Sequence, residues 1–331
     1  MTIYFLFVNL LGYKNLGQFE KIAWSIPIDY KGKAYLIEHR KFGVCLLANN
    51  PSKEQKEIKE ILENINDAII VAQPYFKYIA KKSIQTDKIN IKNNNANLYK
   101  RFQYFYEQYL NHKKKIKLKM QSLPKHEKLL CSIYPSSDIR EMEYLLFAML
   151  EAFYSWSEHI FVLLAILYGK FNTGDDIAKF QNKHWNEKYK EVIGVKEDKE
   201  LYENLILIRQ QLRNFNSHGA LGKNGETFSF HSGAGAVPVF LNDKNLTIAL
   251  TQHDIEYLDK IVIPIINRFN KMLWKGKRRN AKLLIQDYSL DLVLNYSTNK
   301  QYTKLLNSRK AMKDFIDYTI YQIDRATNMD F

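Results

Sequence analysis

The chain has little cysteine. Of its 331 residues only Cys45 and Cys131 are thiols. That excludes a disulfide-stapled scaffold and a cysteine-based zinc site. Long apolar runs are missing too: the longest, Ile160 to Tyr168, stops at Gly169, far short of the ~20 residues that cross a bilayer. The N-terminal stretch MTIYFLFVNLLGYKNLG is apolar but has no basic leading region and no small-residue cleavage site, so it reads as a buried first element rather than a signal peptide. HExxH, CxxC, the Walker A loop and G-x-S-x-G are all absent. Gly233-Ala234-Gly235 lacks the third glycine of a dinucleotide loop and reads as a turn between strands.

What is present is ordinary globular composition with a basic excess. Apolar residues make up 46% and charged residues 25%, which argues against disorder. Forty-nine Lys and Arg face 35 Asp and Glu, a net charge of +14. Such a surplus favours a polyanionic partner. The length suggests two domains, and the expectation is a soluble, cytoplasmic protein with no membrane association.

Residues 23–49 alternate as three short strands, AWSIPIDY, KAYLIEHR and KFGVCLLA, separated by Lys31-Gly32-Lys33 and Lys41-Phe42-Gly43. Ser52 with Gln55 reads as a capping box opening a helix that Pro74 kinks or divides. The asparagine-rich stretch 84–97 reads as an exposed connection, and a helix follows from about 98 to 121. Asp138 with Glu141 reads as the cap of a long helix, apolar on nearly every face from Leu145 to Leu167 and ended by Gly169. Asp175-Asp176 at a helix start fits dipole stabilisation better than paired acid/base work. A helix over 198–216 carries the stripe Leu201, Leu205, Ile208, Leu212, Phe215. Residues 226–250 read as a β excursion, Asp254 opens a helix bent at Pro264, and the tail ends in an amphipathic helix. The fold class expected is mainly α: an α+β N-terminal module over 1–125, then a helical domain over 126–331 with a β insertion near 226–250.

The informative segment is Ile208-Arg-Gln-Gln-Leu-Arg213-Asn214-Phe-Asn-Ser217-His218-Gly219. A five-residue offset on a regular helix puts two side chains ~140° apart and ~7.5 Å along the axis, so Arg213 and His218 share no face if the helix continues. Asn214, Asn216 and Ser217 are poor helix formers and Gly219 suits a left-handed C-terminal position. The helix is therefore expected to end within the segment, letting the imidazole swing towards the guanidinium around a phosphate-sized pocket.

Arg213, the polar Asn214 and His218, at the end of an apolar helix, resemble the signature of the HEPN ribonucleases; the resemblance covers roughly 138–275. It implies a HEPN-like helical bundle and a metal-independent endoribonuclease with no cofactor. His218 would move the proton of the attacking ribose 2′-OH and Arg213 would stabilise the phosphoryl charge. Asn214 would position phosphate or histidine, giving a 2′,3′-cyclic phosphate and a 5′-OH. One chain supplies one motif histidine, so the resemblance implies a homodimer with a composite site. It also implies a toxin-type or antiviral defence role and a regulatory protein partner. In a toxin branch of the family a tyrosine two positions after the histidine is nucleotidylated; here that position is Ala220.

The supporting candidates are Glu158, as a partner for Arg213, and Ser217; His159 reads as a satisfied boundary histidine and His184 as a surface one. Arg213 could instead pair structurally with Glu203 or Glu158, with His218 a helix cap. Candidate RNA-binding residues are Lys113, Lys114, Lys115, Lys117 and Lys119, next to Tyr104, Phe105, Tyr106 and Tyr109, together with Arg278 and Arg279. The alternative function is a non-catalytic helical RNA-binding or adaptor protein on the same scaffold. A third reading, a metal-dependent nuclease using Asp287 and Asp291, lacks a recognisable ligand spacing.

Overall fold

The computed structural model describes residues 2–124, 137–210, 229–232, 235–238 and 255–330. In chain order the main elements are strands β1 (Ile22–Tyr30), β2 (Lys33–Arg40) and β3 (Gly43–Ala48), helices α1 (Gln55–Val71) and α2 (Gln73–Ile84), strand β4 (Asn90–Ile91), and helices α3 (Asn95–Ser122), α4 (Ser137–Leu167), α5 (Gly174–Gln181), α6 (Trp185–Val192) and α7 (Lys199–Ile208). Strands β5 (Ser229–Ser232) and β6 (Gly235–Pro238), helix α8 (Ile255–Leu273), strand β7 (Leu292–Val293) and helix α9 (Arg309–Asn328) complete them. The described chain is mainly helical, with small sheets.

Two compact units result: residues 1–89 with 310–331, and residues 90–309. The division falls at 89/90 and 309/310 rather than near 125. The reason is that α3 packs antiparallel on α4, with Lys119 against Asp138 at one end and Asn94 against His159 at the other.

In the first unit β1, β2 and β3 form an antiparallel meander. Lys31 and Gly32, both at positive φ, close its first hairpin. Trp24, Ile26 and Ile28 of β1 and Tyr35 and Ile37 of β2 are buried against Ile61 and Ile65 of α1 and against Leu6 and Phe7 of the N-terminal helical segment. Across the sheet Glu38 is buried, and Ser25 Oγ donates to it at 3.2 Å while Arg40 Nε donates at 2.8 Å. Ser52 does not cap α1. Asn50 O accepts from both Lys53 and Glu54 N–H, so Ser52 sits in a turn and the helix starts at Gln55. Pro74 lies in the first turn of α2, where its missing N–H costs no bond, and the helices divide there.

In the second unit α4 is the core helix. Residues 160–167 are all buried, and Gly169, at φ +71°, turns the chain out of it. By length and composition it is the one described helix apolar enough to cross a bilayer; its apolar window is mostly buried inside the fold. Trp156 stacks on Phe102 of α3 with centroids 5.6 Å apart, and Phe153, Phe161, Trp185, Tyr189 and Phe269 form the ring network around it. The two buried indole N–H groups of the cluster are matched: Trp156 Nε1 donates to Asn95 Oδ1 at 2.8 Å, and Trp185 Nε1 to Ser157 Oγ at 2.9 Å.

The asparagine-rich stretch is not an exposed loop throughout. Asn93 and Asn95 are buried. Asn93 Nδ2 donates to Ile285 O at 2.9 Å and Leu290 O at 3.1 Å, and its Oδ1 accepts from Asn95 N at 2.9 Å. The Asn93 amide is matched on both its nitrogen and its oxygen, so its burial costs little. Strands β4 and β7 pair beside this latch. At α5, Thr173 Oγ1 accepts from Asp176 N, and the Asp176 carboxylate accepts from Thr173 N and Asn172 N, each at 3.0 Å. Those backbone donors hold its pKa below the usual aspartate value. Strands β5 and β6 pair as a hairpin within the expected β excursion.

Candidate functional site

The candidate site begins where α7 delivers the chain. Asp198 caps α7 by accepting from Leu201 N at 3.1 Å, and its carboxylate takes a bidentate bond from Arg268 of α8, at 2.7 and 2.9 Å. Leu201, Leu205 and Ile208 bury the apolar stripe. Tyr154 of α4 donates its buried hydroxyl to Leu205 O at 2.7 Å, pinning the middle of the helix. The description runs on to Gln210. Arg213, Asn214, Ser217 and His218 lie outside the described residues, as does Ala220.

The supporting side chains can be placed. Glu158 of α4 is ion-paired with Lys188 of α6, whose side chain is only 3% exposed and also donates to Gln181 O at 2.7 Å. Glu203 lies 3.6 Å from Lys199. Of the two carboxylates suggested as structural partners of Arg213, Glu158 holds a buried lysine and Glu203 lies near an exposed one. His159 accepts the Asn94 N–H on Nε2 at 3.1 Å, beside the start of α3. Desolvation lowers its pKa, so it is a neutral hydrogen-bond acceptor rather than a charged group. His184 is exposed at the start of α6, where its own N–H donates to Glu187 at 2.7 Å.

A groove of about 560 Å³ opens between α3, α4 and the residue following α7. Its floor is small side chains one helical turn apart on α4: Ala148, Ala152 and Ser155. Arg101 and Phe105 come from α3, Arg209 from the chain just beyond α7, and Glu151 and Glu158 from α4. Sequence reasoning missed Arg101, Phe105 as a groove wall, Ser155 and Arg209. The signal was there in the i, i+4, i+7 spacing of small residues on a helix otherwise filled with bulky ones.

The proposed RNA-binding residues divide. Lys114, Lys115, Lys117 and Arg279 are exposed and Lys113 is half-buried. Lys119 is exposed but pairs with Asp138 at 2.6 Å, and that lysine holds the Asp138 carboxyl below its ordinary pKa. Arg278 is a correction. It is buried, its Nε donates to Leu273 O at 2.6 Å and its Nη2 to Met272 O at 3.0 Å, and it is ion-paired with Glu197. It closes the carbonyl end of α8 and cannot face a polyanion. Of the nearby aromatics Tyr109 is buried, Tyr106 hydroxyl meets Asn267, and Tyr104 is 56% exposed.

The acidic alternative gains nothing here. Asp287 pairs with Lys282 at 3.0 Å, and Asp291 Oδ1 accepts from Asn93 N at 2.8 Å. Among the described residues no three His, Cys, Asp or Glu side chains are gathered as metal ligands would be.

Compared with known proteins, the chain matches no family model, no curated protein and no solved structure.

Proposed function

We propose that the chain is a cytoplasmic endoribonuclease of the HEPN type, acting on RNA without metal or cofactor. Arg213, Asn214 and His218 would carry the reaction. The observation that supports this most is that the helix leading into the motif, α7, is packed into the bundle by its apolar face and ends at a mixed-polarity groove. Arg213 is four positions beyond Arg209, which lines that groove. Covalent reach alone limits the distance between them to ~14 Å.

In the proposed reaction the ribose 2′-oxygen attacks the adjacent phosphorus and the P–O5′ bond breaks. The 2′-OH proton goes to a neutral imidazole, and a protonated imidazole supplies one to the leaving 5′-oxygen. Arg213 presents a rigid fork of donors to the phosphoryl oxygens as charge builds on them. Two histidines are needed and each chain offers one, so the reading includes a homodimer whose motifs meet; a role in defence or toxicity, with a regulatory partner, belongs to the same reading.

The test is incubation of total RNA with purified wild type, Arg213→Ala and His218→Ala in EDTA, with product ends typed as cyclic phosphate or not. Cleavage by wild type alone, leaving 2′,3′-cyclic ends, is the expected result. Cleavage that persists in both variants removes the site assignment. Retained RNA binding with no cleavage by any of the three favours the adaptor reading.

A further inference from the structure

We propose that the groove between α3 and α4 seats one unpaired nucleotide of the RNA, its phosphate on Arg101 and its base against Phe105, so that the protein acts on single-stranded and not on duplex RNA. The inference rests on the nuclease reading for its substrate and adds where and in what form that substrate is held.

At about 560 Å³ the groove falls in the size range of small-ligand sites. Its chemistry is divided as a nucleotide requires. Phe105 supplies an aromatic wall, and Ala148 and Ala152 leave the depth for a flat ring. Arg101 is exposed at the rim and has no hydrogen-bond or ion-pair partner among the described residues, so its guanidinium is available to a phosphate. The electrostatics permit an anion. Glu151 and Glu158 line the groove, but Arg101 and Arg209 line it too and Lys188 is bonded to Glu158, leaving three cations against two carboxylates.

An aromatic wall can hold a base only if the base is out of a stack. In an A-form duplex the bases are stacked on one another and the deep groove admits no side chain, whereas a single strand can splay a base onto an aromatic ring. An unpaired base is therefore what this wall would take. The same face of α3 carries Lys115, 14 residues beyond Arg101 and ~21 Å along the axis, where the strand would continue.

The experiment uses the full chain and a labelled single-stranded RNA of mixed sequence, with a hairpin of the same sequence as duplex control. Binding is read by fluorescence anisotropy across a salt series, and cleavage as KM and kcat separately. Arg101→Ala is expected to raise Kd and KM about tenfold with kcat held, and to reduce the salt dependence by about one counterion. Phe105→Leu keeps the apolar volume but removes the ring face; it is expected to weaken binding about fivefold at an unchanged salt slope. The hairpin should be neither bound in the groove nor cut in its stem.

Wild-type affinity and salt slope in both variants, or equal cleavage of stem and single strand, overturns the proposal. A wild type that cleaves while both variants keep its KM leaves the nuclease reading standing and removes the groove. A wild type that never cleaves but loses RNA binding on Arg101→Ala does the reverse. If wild type neither binds nor cleaves RNA, both fall.

Discussion

The two units solve the problem of burial differently. The 90–309 unit wraps α4 in tryptophan, tyrosine and phenylalanine rings, and its core is thick enough to hold Lys188 and Ser157 inside it with their bonds made. The other unit has a thin core between one face of a three-stranded meander and α1. It leaves Ile70, Val71 and Tyr78 of its helices in the open, at 68%, 79% and 59% exposure. A deep core can afford polar groups and a groove in its wall, because each costs little against what surrounds it. A thin one has no such surplus, so a recessed polar site belongs on the helical unit.

That contrast can be broken in order of effect. Trp156→Ala removes the stacked ring at the centre of the cluster and leaves Asn95 Oδ1 without its donor. A loss of ~3–5 kcal/mol is expected by urea denaturation; a loss under ~1 kcal/mol means the rings are not the core's support. Next is Arg278→Met, which keeps the apolar stem but leaves Leu273 O, Met272 O and Glu197 without their donor. It is expected to cost ~2–3 kcal/mol while leaving RNA affinity and its salt slope as in wild type. A selective fall in RNA affinity would restore Arg278 as a binding residue.

Acid should weaken the helical unit through His159. Its folded pKa is below the ordinary 6.5, so under that pH the unfolded chain binds a proton that the folded chain refuses. The stabilising contribution is present above pH 6.5 and lost as pH falls, by at most ~1.4 kcal/mol per unit. Melting temperatures between pH 7.5 and 5.5 should drop more in wild type than in His159→Gln; parallel slopes would assign the acid sensitivity elsewhere. The smallest effect is on the thin unit: Val71→Lys on its exposed face should change stability by no more than ~0.5 kcal/mol. A larger loss would mean that the face is covered in solution, and the contrast between the units would narrow.

Much of the fold was legible. The strands were delimited by Lys-Gly punctuation, α4 by its all-round apolarity, and the break at Pro74 by a missing donor. Asp175-Asp176 turned out to combine the expected helix-start role with a Thr173 capping box. What the sequence hid depended on partners far along the chain. Asn93 and Asn95 look like loop residues until the carbonyls of Ile285 and Leu290 and the Trp156 indole meet them. Arg278 looks like part of a basic patch because Lys275, Lys277 and Arg279 flank it, yet one side chain in that run turns inward. Ser52 satisfied a local capping pattern that the Asn50 turn pre-empted. The groove's walls come from three separated segments, so only the spacing of small residues on α4 hinted at it. The motif at 213–218 can be read only in the sequence.

The Asn93 latch has a consequence for synthesis. It joins positions 192 and 197 residues apart, and the 1–89 unit likewise takes up residues 310–331. The 90–309 unit cannot complete this latch before Leu290 is made, nor the other unit its fold before residues 310–331 are, and closing loops of that span is slow. Until then the earlier helices of both units lack part of what they pack against.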